Sequence, residues 1–208
     1  KRDWSSDVCS SDLRVYVEPY DGAGSVLLQK PRSFAEIYND LDGEIVNLFR
    51  VVRERGHELT EKLKATPFAR DEYKLSFEVC DDPMEQARRT VVRSFMGFGS
   101  NALQREIQSG FRSSANRSGT TPAHDWGNYP DTLKGIIARL RGVTIENRDA
   151  LEVMQRHDGE DTLHYCDPPY VHETRSGRMH GHHGYIHEMT DEQHREMAAV
   201  LGQLKGAV

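Results

Sequence analysis

Apolar and polar positions alternate along the chain in short buried runs separated by helical stripes. Val15-Tyr16-Val17 reads as a buried strand, and Glu18-Pro19-Tyr20-Asp21-Gly22-Ala23-Gly24-Ser25 follows it as a glycine-rich turn. Phe34-Ala35-Glu36-Ile37-Tyr38 reads as a second strand, closed by Asn39-Asp40. Asp42 is placed to cap a helix in which Ile45, Leu48, Phe49 and Val52 recur at helical spacing, with Gly56 as its stop. Thr66-Pro67 breaks the pattern, and Asp82-Pro83 then reads as N-cap and first-turn proline. That helix runs to about Phe95; Met84, Ala87, Val91 and Phe95 form its packing stripe, and its arginines point elsewhere. Tyr129-Pro130-Asp131 starts a further helix with Leu133, Ile136, Ile137 and Leu140 inside and Gly142 after its end. Val143-Thr144-Ile145-Glu146 is a third strand, followed by a short helix bearing Leu151, Val153 and Met154. A fourth strand is read in Leu163-His164-Tyr165-Cys166. Thr190-Asp191-Glu192-Gln193 is a capping box opening a last helix with Met197, Val200, Leu201 and Leu204, and Lys205-Gly206-Ala207-Val208 turns into another strand. Strands alternating with helices imply an α/β fold.

Composition adds one conflict. A net charge of −6 counts against a nucleic-acid partner, because phosphate contacts need Lys and Arg. Between residues 88 and 117, however, Arg88, Arg89, Arg93, Arg105, Arg112 and Arg117 face a single acid, Glu106. Residues 96–128 are the longest stretch without clear periodicity, and loops of that length are functional or disordered. Disorder explains glycine and serine but not Phe98, Phe111 and Trp126. Arginines, small amides and rings together have the composition of a nucleic-acid surface; the plain alternative is a solvated basic loop. No apolar run approaches the ~18 residues of a membrane span, so no membrane contact is expected.

The three cysteines, Cys9, Cys80 and Cys166, have neither metal nor disulfide-framework spacing, which fits a reducing cytoplasm. Residues 3–13, DWSSDVCSSDL, lack periodicity and look like a translated sequencing-library adapter; residues 1–13 are set aside as non-native or disordered, without a signal peptide. His180, His182, His183 and His187 fit no standard metal site, and no metal is expected.

The candidate chemistry sits at strand ends. A glycine turn after a strand lets a ligand approach the backbone closely. Asp40, ending the second strand roughly 20 residues on, stands where nucleotide-binding α/β folds hold ribose hydroxyls, or else it caps the following helix. Asp149 is placed to bond a cofactor base or to cap its own helix. Asp167-Pro168-Pro169-Tyr170 presents a carboxylate, a carbonyl fixed between prolines and a flat ring, which suits holding a planar amine while a group is transferred to it.

The order of these parts, Glu-Pro-Tyr-x-Gly-x-Gly, Asn-Asp, a basic insert, a strand followed by Asp, then Asp-Pro-Pro-Tyr, resembles the Dam-type family of DNA adenine-N6 methyltransferases in the version common on phages and prophages, over residues 15–208. The resemblance implies a Rossmann-like S-adenosylmethionine-dependent methyltransferase fold with a target-recognition insert. Residues 14–82 would form the cofactor-binding part, 83–130 the insert and 131–208 the catalytic part. It implies S-adenosylmethionine over Glu18, Tyr20, Asp21, Gly22 and Gly24, with Asp40 at the ribose and Asp149 as a further cofactor contact. A flipped adenine would meet Asp167, Pro168, Pro169 and Tyr170, and Arg112, Asn116, Arg117 and Trp126 would contact double-stranded DNA. Cys166 is then a buried strand residue and not a nucleophile. Aspartate as the first letter leans towards adenine over cytosine N4. The enzyme is expected to be a monomer in the cytoplasm of a bacterial or phage-infected cell. The Gly-Gly-Lys-like segment that usually opens the family is replaced by residues 1–13, and the last sheet strands are not reached, so a fragment is expected. The rivals are a DNA-binding module without catalysis, an amino-methyltransferase acting on cytosine N4, and a nucleotide-dependent α/β enzyme of another kind.

Overall fold

A computed structural model of the chain describes residues 13–98, 109–113, 119–171 and 187–208. They fall into two compact units: a sheet unit of 13–42, 142–171 and 187–208, and a helical unit within Gly43–Arg141.

The sheet unit holds β1 (Val15–Glu18), α1 (Ser25–Gln29), β2 (Ala35–Asn39), β3 (Val143–Glu146), α6 (Ala150–Arg156), β4 (Thr162–His164) and α7 (Asp191–Leu201). All strand pairs are parallel, in the order β3-β2-β1-β4, with Val17 opposite both Ile37 and His164 and Tyr38 opposite Ile145. Parallel strands are covered on both faces, which is why they read as nearly continuous apolar runs. Val17, Ile37 and Val153 form the buried cluster that seats α6 against β1 and β2. From β1 the chain steps to β2 and β3 on one side; β4 then takes the other side of β1. The order therefore reverses between β1 and β4, and in open α/β sheets ligands bind outside the strands' C-terminal ends at such a switch point. Beyond β4, Ala207 forms a parallel bridge with Leu163: the His164 N–H donates to the Ala207 carbonyl at 2.8 Å and the Ala207 N–H to Thr162 at 2.9 Å. The expected turn of 205–208 into another strand is thus present. β4 is shorter than expected, leaving Tyr165 and Cys166 beyond it, and Phe34 is outside β2 and 80% exposed. The Thr190–Gln193 capping box forms reciprocally at the start of α7.

The helical unit holds α2 (Gly43–Ala65), α3 (Arg70–Leu75), α4 (Pro83–Met96) and α5 (Pro122–Leu140). Asp82 caps α4 by accepting from the Met84 and Glu85 amides, as expected. The expected stop at Gly56 is a kink: Arg55 just before it has non-helical backbone (φ −132°, ψ 28°), and a second helical stretch continues α2 to Ala65. The lack of a side chain at Gly56 also serves packing: a Cβ there would lie 2.4 Å from Cγ1 of Ile137 on α5. α5 starts at Pro122 rather than near Tyr129, because Thr121 accepts from the His124 amide and Pro122 fills the first turn. Pro130, which suggested the start, lies inside the helix and buried.

The arginines of α4 do not point away from the packing. Arg93 is 1% exposed and donates to the Ser76 carbonyl at 2.6 Å and to Glu44. Arg88, also buried, bridges Glu72 and Glu85 at 2.7 Å each, and Arg89 joins it on Glu85 at 2.9 Å. A buried guanidinium needs such partners, so these three side chains are committed within the unit.

Candidate active site

Residues at the C-terminal ends of β1, β2 and β3 are stitched together mainly through backbone groups. Gly22 and Gly24 have φ of 56° and 66°, the left-handed region that glycine adopts without a steric cost. The turn they form is pinned from β2: the Asp40 carboxylate accepts the Gly22 N–H at 2.8 Å, and the Tyr38 hydroxyl donates to the Gly22 carbonyl at 2.7 Å. The other Asp40 oxygen accepts the Asp42 N–H at 2.6 Å. Asp40 therefore ties the turn to the backbone just after β2, and its spare lone pairs are what remains for a ligand hydroxyl. Its pKa is raised by burial, against the two amides that lower it. Asp149 caps α6, one oxygen accepting from Leu151 at 2.9 Å and Glu152 at 3.2 Å.

The acids of the β1 end behave differently. Glu18 is buried and accepts the Tyr16 hydroxyl at 2.5 Å. Asp21 has both carboxyl oxygens buried, and neither has a hydrogen-bond partner of ordinary geometry among the described residues. Burial first, then the neighbouring Glu18, pushes the Asp21 carboxyl far up, towards its neutral form. The orphaned Asp21 oxygens beside the buried Glu18 suit a cationic ligand, whose charge would draw the Asp21 carboxyl back to its ionised form. Tyr20, half-buried beside them, has its hydroxyl pKa raised by burial, with Cys166 and Asp149 adding to it.

The segment after β4 hangs on β1 through the Tyr165 N–H, which donates to the Val17 carbonyl at 2.8 Å. Asp167 and Tyr170 are exposed, and Pro168 and Pro169 are half-buried. Tyr165 has its hydroxyl pKa raised by burial and then by Asp167 and Glu18, two acids from either side of the switch point. Cys166 lies past the strand and half-buried, with Sγ 3.6 Å from Met154 Sδ; burial pushes its thiol up to about 11, so it stays protonated and unreactive at neutral pH.

The structure thus gathers Glu18, Tyr20, Asp21, Gly22, Gly24, Asp40, Asp149 and Asp167 to Tyr170 along one edge of the sheet unit. The residues expected to meet DNA fare differently. Arg112 is half-buried, its guanidinium donating to the Phe95 carbonyl at 3.1 Å. Trp126 is 4% exposed, packs against Phe95 and Tyr129, and donates its indole N–H to Thr66 at 2.8 Å. A ring so enclosed is a packing residue of the helical unit and does not fit the DNA contact expected of it. Asn116 and Arg117 lie outside the described residues, as do Cys9, Arg105, His180, His182 and His183. One residue of the edge, named in the Asn-Asp pair that closes the second strand, had been given no role of its own: Asn39, fully buried, bonds to both the β1 and the β3 loops. Its signal was an amide closing an otherwise buried strand, a position where every polar atom must find a partner.

A parallel sheet with a glycine turn, buried acids and residues 167–170 at the C-terminal ends of its strands defines an α/β fold of the kind that takes ligands at a switch point. The model of the D12 class N6 adenine-specific DNA methyltransferase family matches residues 5–207, and the chain belongs to that family. No curated protein matches it. It is a DNA adenine-N6 methyltransferase, and S-adenosylmethionine is the methyl donor that such enzymes use in general. Among the described residues no helix is long and apolar enough to cross a membrane.

Proposed function

We propose that this chain holds S-adenosylmethionine on the β1 side of the switch point and an adenine flipped from duplex DNA on the β4 side. The observation that carries this reading is the topology that puts the Glu18–Gly24 turn and Asp167-Pro168-Pro169-Tyr170 on neighbouring strand ends. Gly22 and Gly24 would let the cofactor lie on the backbone, Asp21 and Glu18 would balance its positive charge, and Asp40 and Asp149 would reach its hydroxyls and base. When bound, that cofactor supplies an electrophilic methyl group on a sulfonium. The chain's own residues prepare the acceptor. The adenine N6 lone pair is delocalised into the ring and is a poor nucleophile. With the Asp167 carboxylate and the Pro168 carbonyl accepting its two hydrogens, the nitrogen is drawn towards pyramidal geometry and its lone pair is localised. Prolines fix that carbonyl, and Tyr170 stacks on the flipped ring. Asp167 is exposed, so the proton that leaves N6 passes to solvent.

Residues 14–82 and 131–208 would then contribute the two halves of the catalytic part, and 83–130 the target reader, with Arg112, Asn116 and Arg117 meeting DNA. The same reading makes the enzyme a cytoplasmic monomer that serves restriction protection or regulation in a bacterial or phage-infected cell. Incubation of the chain with plasmid DNA and labelled S-adenosylmethionine, with modified positions mapped, tests it. N6-methyladenine confined to one short sequence is expected; label on cytosine N4, or none on DNA, would overturn it.

A further inference from the structure

Asn39 ends β2, is completely buried, and uses its whole amide on main-chain atoms of two other loops. Its Nδ2 donates to the Pro19 carbonyl at 2.9 Å and to the Arg148 carbonyl at 3.1 Å, while its Oδ1 accepts the Arg148 N–H at 3.0 Å. Its own carbonyl accepts the Asp21 N–H at 3.1 Å. The partners fix the orientation of the amide: a flipped group would set its NH2 against the Arg148 N–H and its oxygen against two carbonyls. Pro19 directly precedes Tyr20 and the glycine turn, and Arg148 directly precedes Asp149. One side chain therefore sets the spacing of the two loops that carry the cofactor-facing residues. Asn147 reinforces it from β3, its Nδ2 donating to the carbonyls of Asp40 at 2.7 Å and Leu41 at 3.1 Å. The tetrad is not part of this frame, since it hangs on β4 and β1 through Tyr165.

We propose that Asn39 is a positioning residue: without touching a ligand, its amide holds the β1 and β3 loops at the separation that S-adenosylmethionine binding requires, and leaves the acceptor side of the site alone. No other side chain of its size serves. Aspartate turns an acceptor towards two carbonyls, leucine leaves two acceptors and a donor unmet, and glutamine carries the amide one methylene too far. The inference rests on the proposed seat of the cofactor on the β1 turn, and its test separates the two.

The test titrates S-adenosylmethionine into the parent chain, Asn39→Asp and Asn147→Ala by calorimetry, with melting temperature, duplex-DNA affinity and the KM and kcat of methylation measured alongside. For Asn39→Asp the cofactor Kd and KM should rise by at least about tenfold, the scale of one lost buried hydrogen bond. Its kcat at saturating cofactor and its DNA affinity should stay within about threefold, a split that general loosening would not produce. A folded Asn39→Asp with the parent's cofactor Kd overturns the proposal, as does a parallel fall of kcat, DNA affinity and cofactor affinity that tracks the melting temperature. If Asn39→Asp does not fold, the exposed Asn147→Ala decides. It should raise the cofactor Kd about threefold with the melting temperature within about 2 °C of the parent, and an unchanged Kd overturns the frame. A parent that never saturates with S-adenosylmethionine would sink the proposed cofactor seat itself, and this inference with it.

Discussion

The sheet unit and the helical unit treat charge in opposite ways. At the sheet's C-terminal edge, the buried Asp21 oxygens have no hydrogen-bond partner of ordinary geometry among the described residues, and Asp167 stands exposed. In the helical unit, Arg88, Arg89 and Arg93 are matched one after another by Glu44, Glu72 and Glu85. The difference teaches that a local run of basic residues is not a basic surface. Charge left unmet in a fold points to a ligand, whereas charge met inside a fold stabilises it only to the extent that the pairing outweighs desolvation.

The comparison predicts first that the chemistry depends on the exposed acid of the sheet unit. Asp167→Ala should cost on the order of a thousandfold in kcat, the scale of losing a charged group aimed at the reacting atom. DNA affinity and melting temperature should hold, because the exposed carboxylate contributes little to folding. A filter-binding assay beside labelled-methyl transfer reads both, and a variant that still methylates at the parental rate breaks the assignment. The next effect is on stability. Arg93→Met keeps the bulk of the side chain and removes the buried cation that pairs with Glu44 and donates to the Ser76 carbonyl, so unfolding in urea should show a loss of about 3 kcal/mol. Adding Glu44→Leu should return part of that loss, since removing both charges restores a neutral contact. If Arg93→Met instead keeps full stability and loses only DNA affinity, the arginines of α4 belong to the interface and the contrast between the units fails.

How much of this was legible in the sequence depends on how far away each partner lies. The four strands, the caps Asp82 and Thr190, the glycine turn and the tetrad were readable because their signals are local: apolar runs, an acid before proline, a capping box. α3 was missed because six residues give too few turns for a stripe, and the start of α5 was misplaced because two prolines, Pro122 and Pro130, offered rival first turns. Gly56 marked the interruption of α2 beside Arg55, but the helix beyond it and the close approach of Ile137 on α5 were not visible. The same limit hid the arginine partners: Arg93 and Glu44 are 49 residues apart. It hid Asn39 as well, whose bonds reach 20 residues back and 109 forward. A single sequence shows which residues have chemistry to offer; the fold decides whether that chemistry is spent internally or turned to a ligand.

The smallest effect expected is a pH dependence confined to the ion-pair network of the helical unit. Arg88, and behind it Arg89, holds the Glu85 carboxylate well below its ordinary 4.5, at about 2. A depressed folded-state pKa means that the folded chain resists protonation more than the unfolded one does. The stabilisation from Glu85 is therefore fully present above about pH 4.5 and is lost as pH falls towards 2. Glu85→Gln removes that titration while keeping the shape. Its stability should lie below the parent's at neutral pH, and the gap should close progressively between pH 4.5 and about 2, as followed by urea midpoints at stepped pH. A gap that stays constant over that range would mean that Glu85 is not ionised against Arg88 in the folded chain. The picture of a helical unit whose arginines are consumed by its own acids would then lose its most direct support.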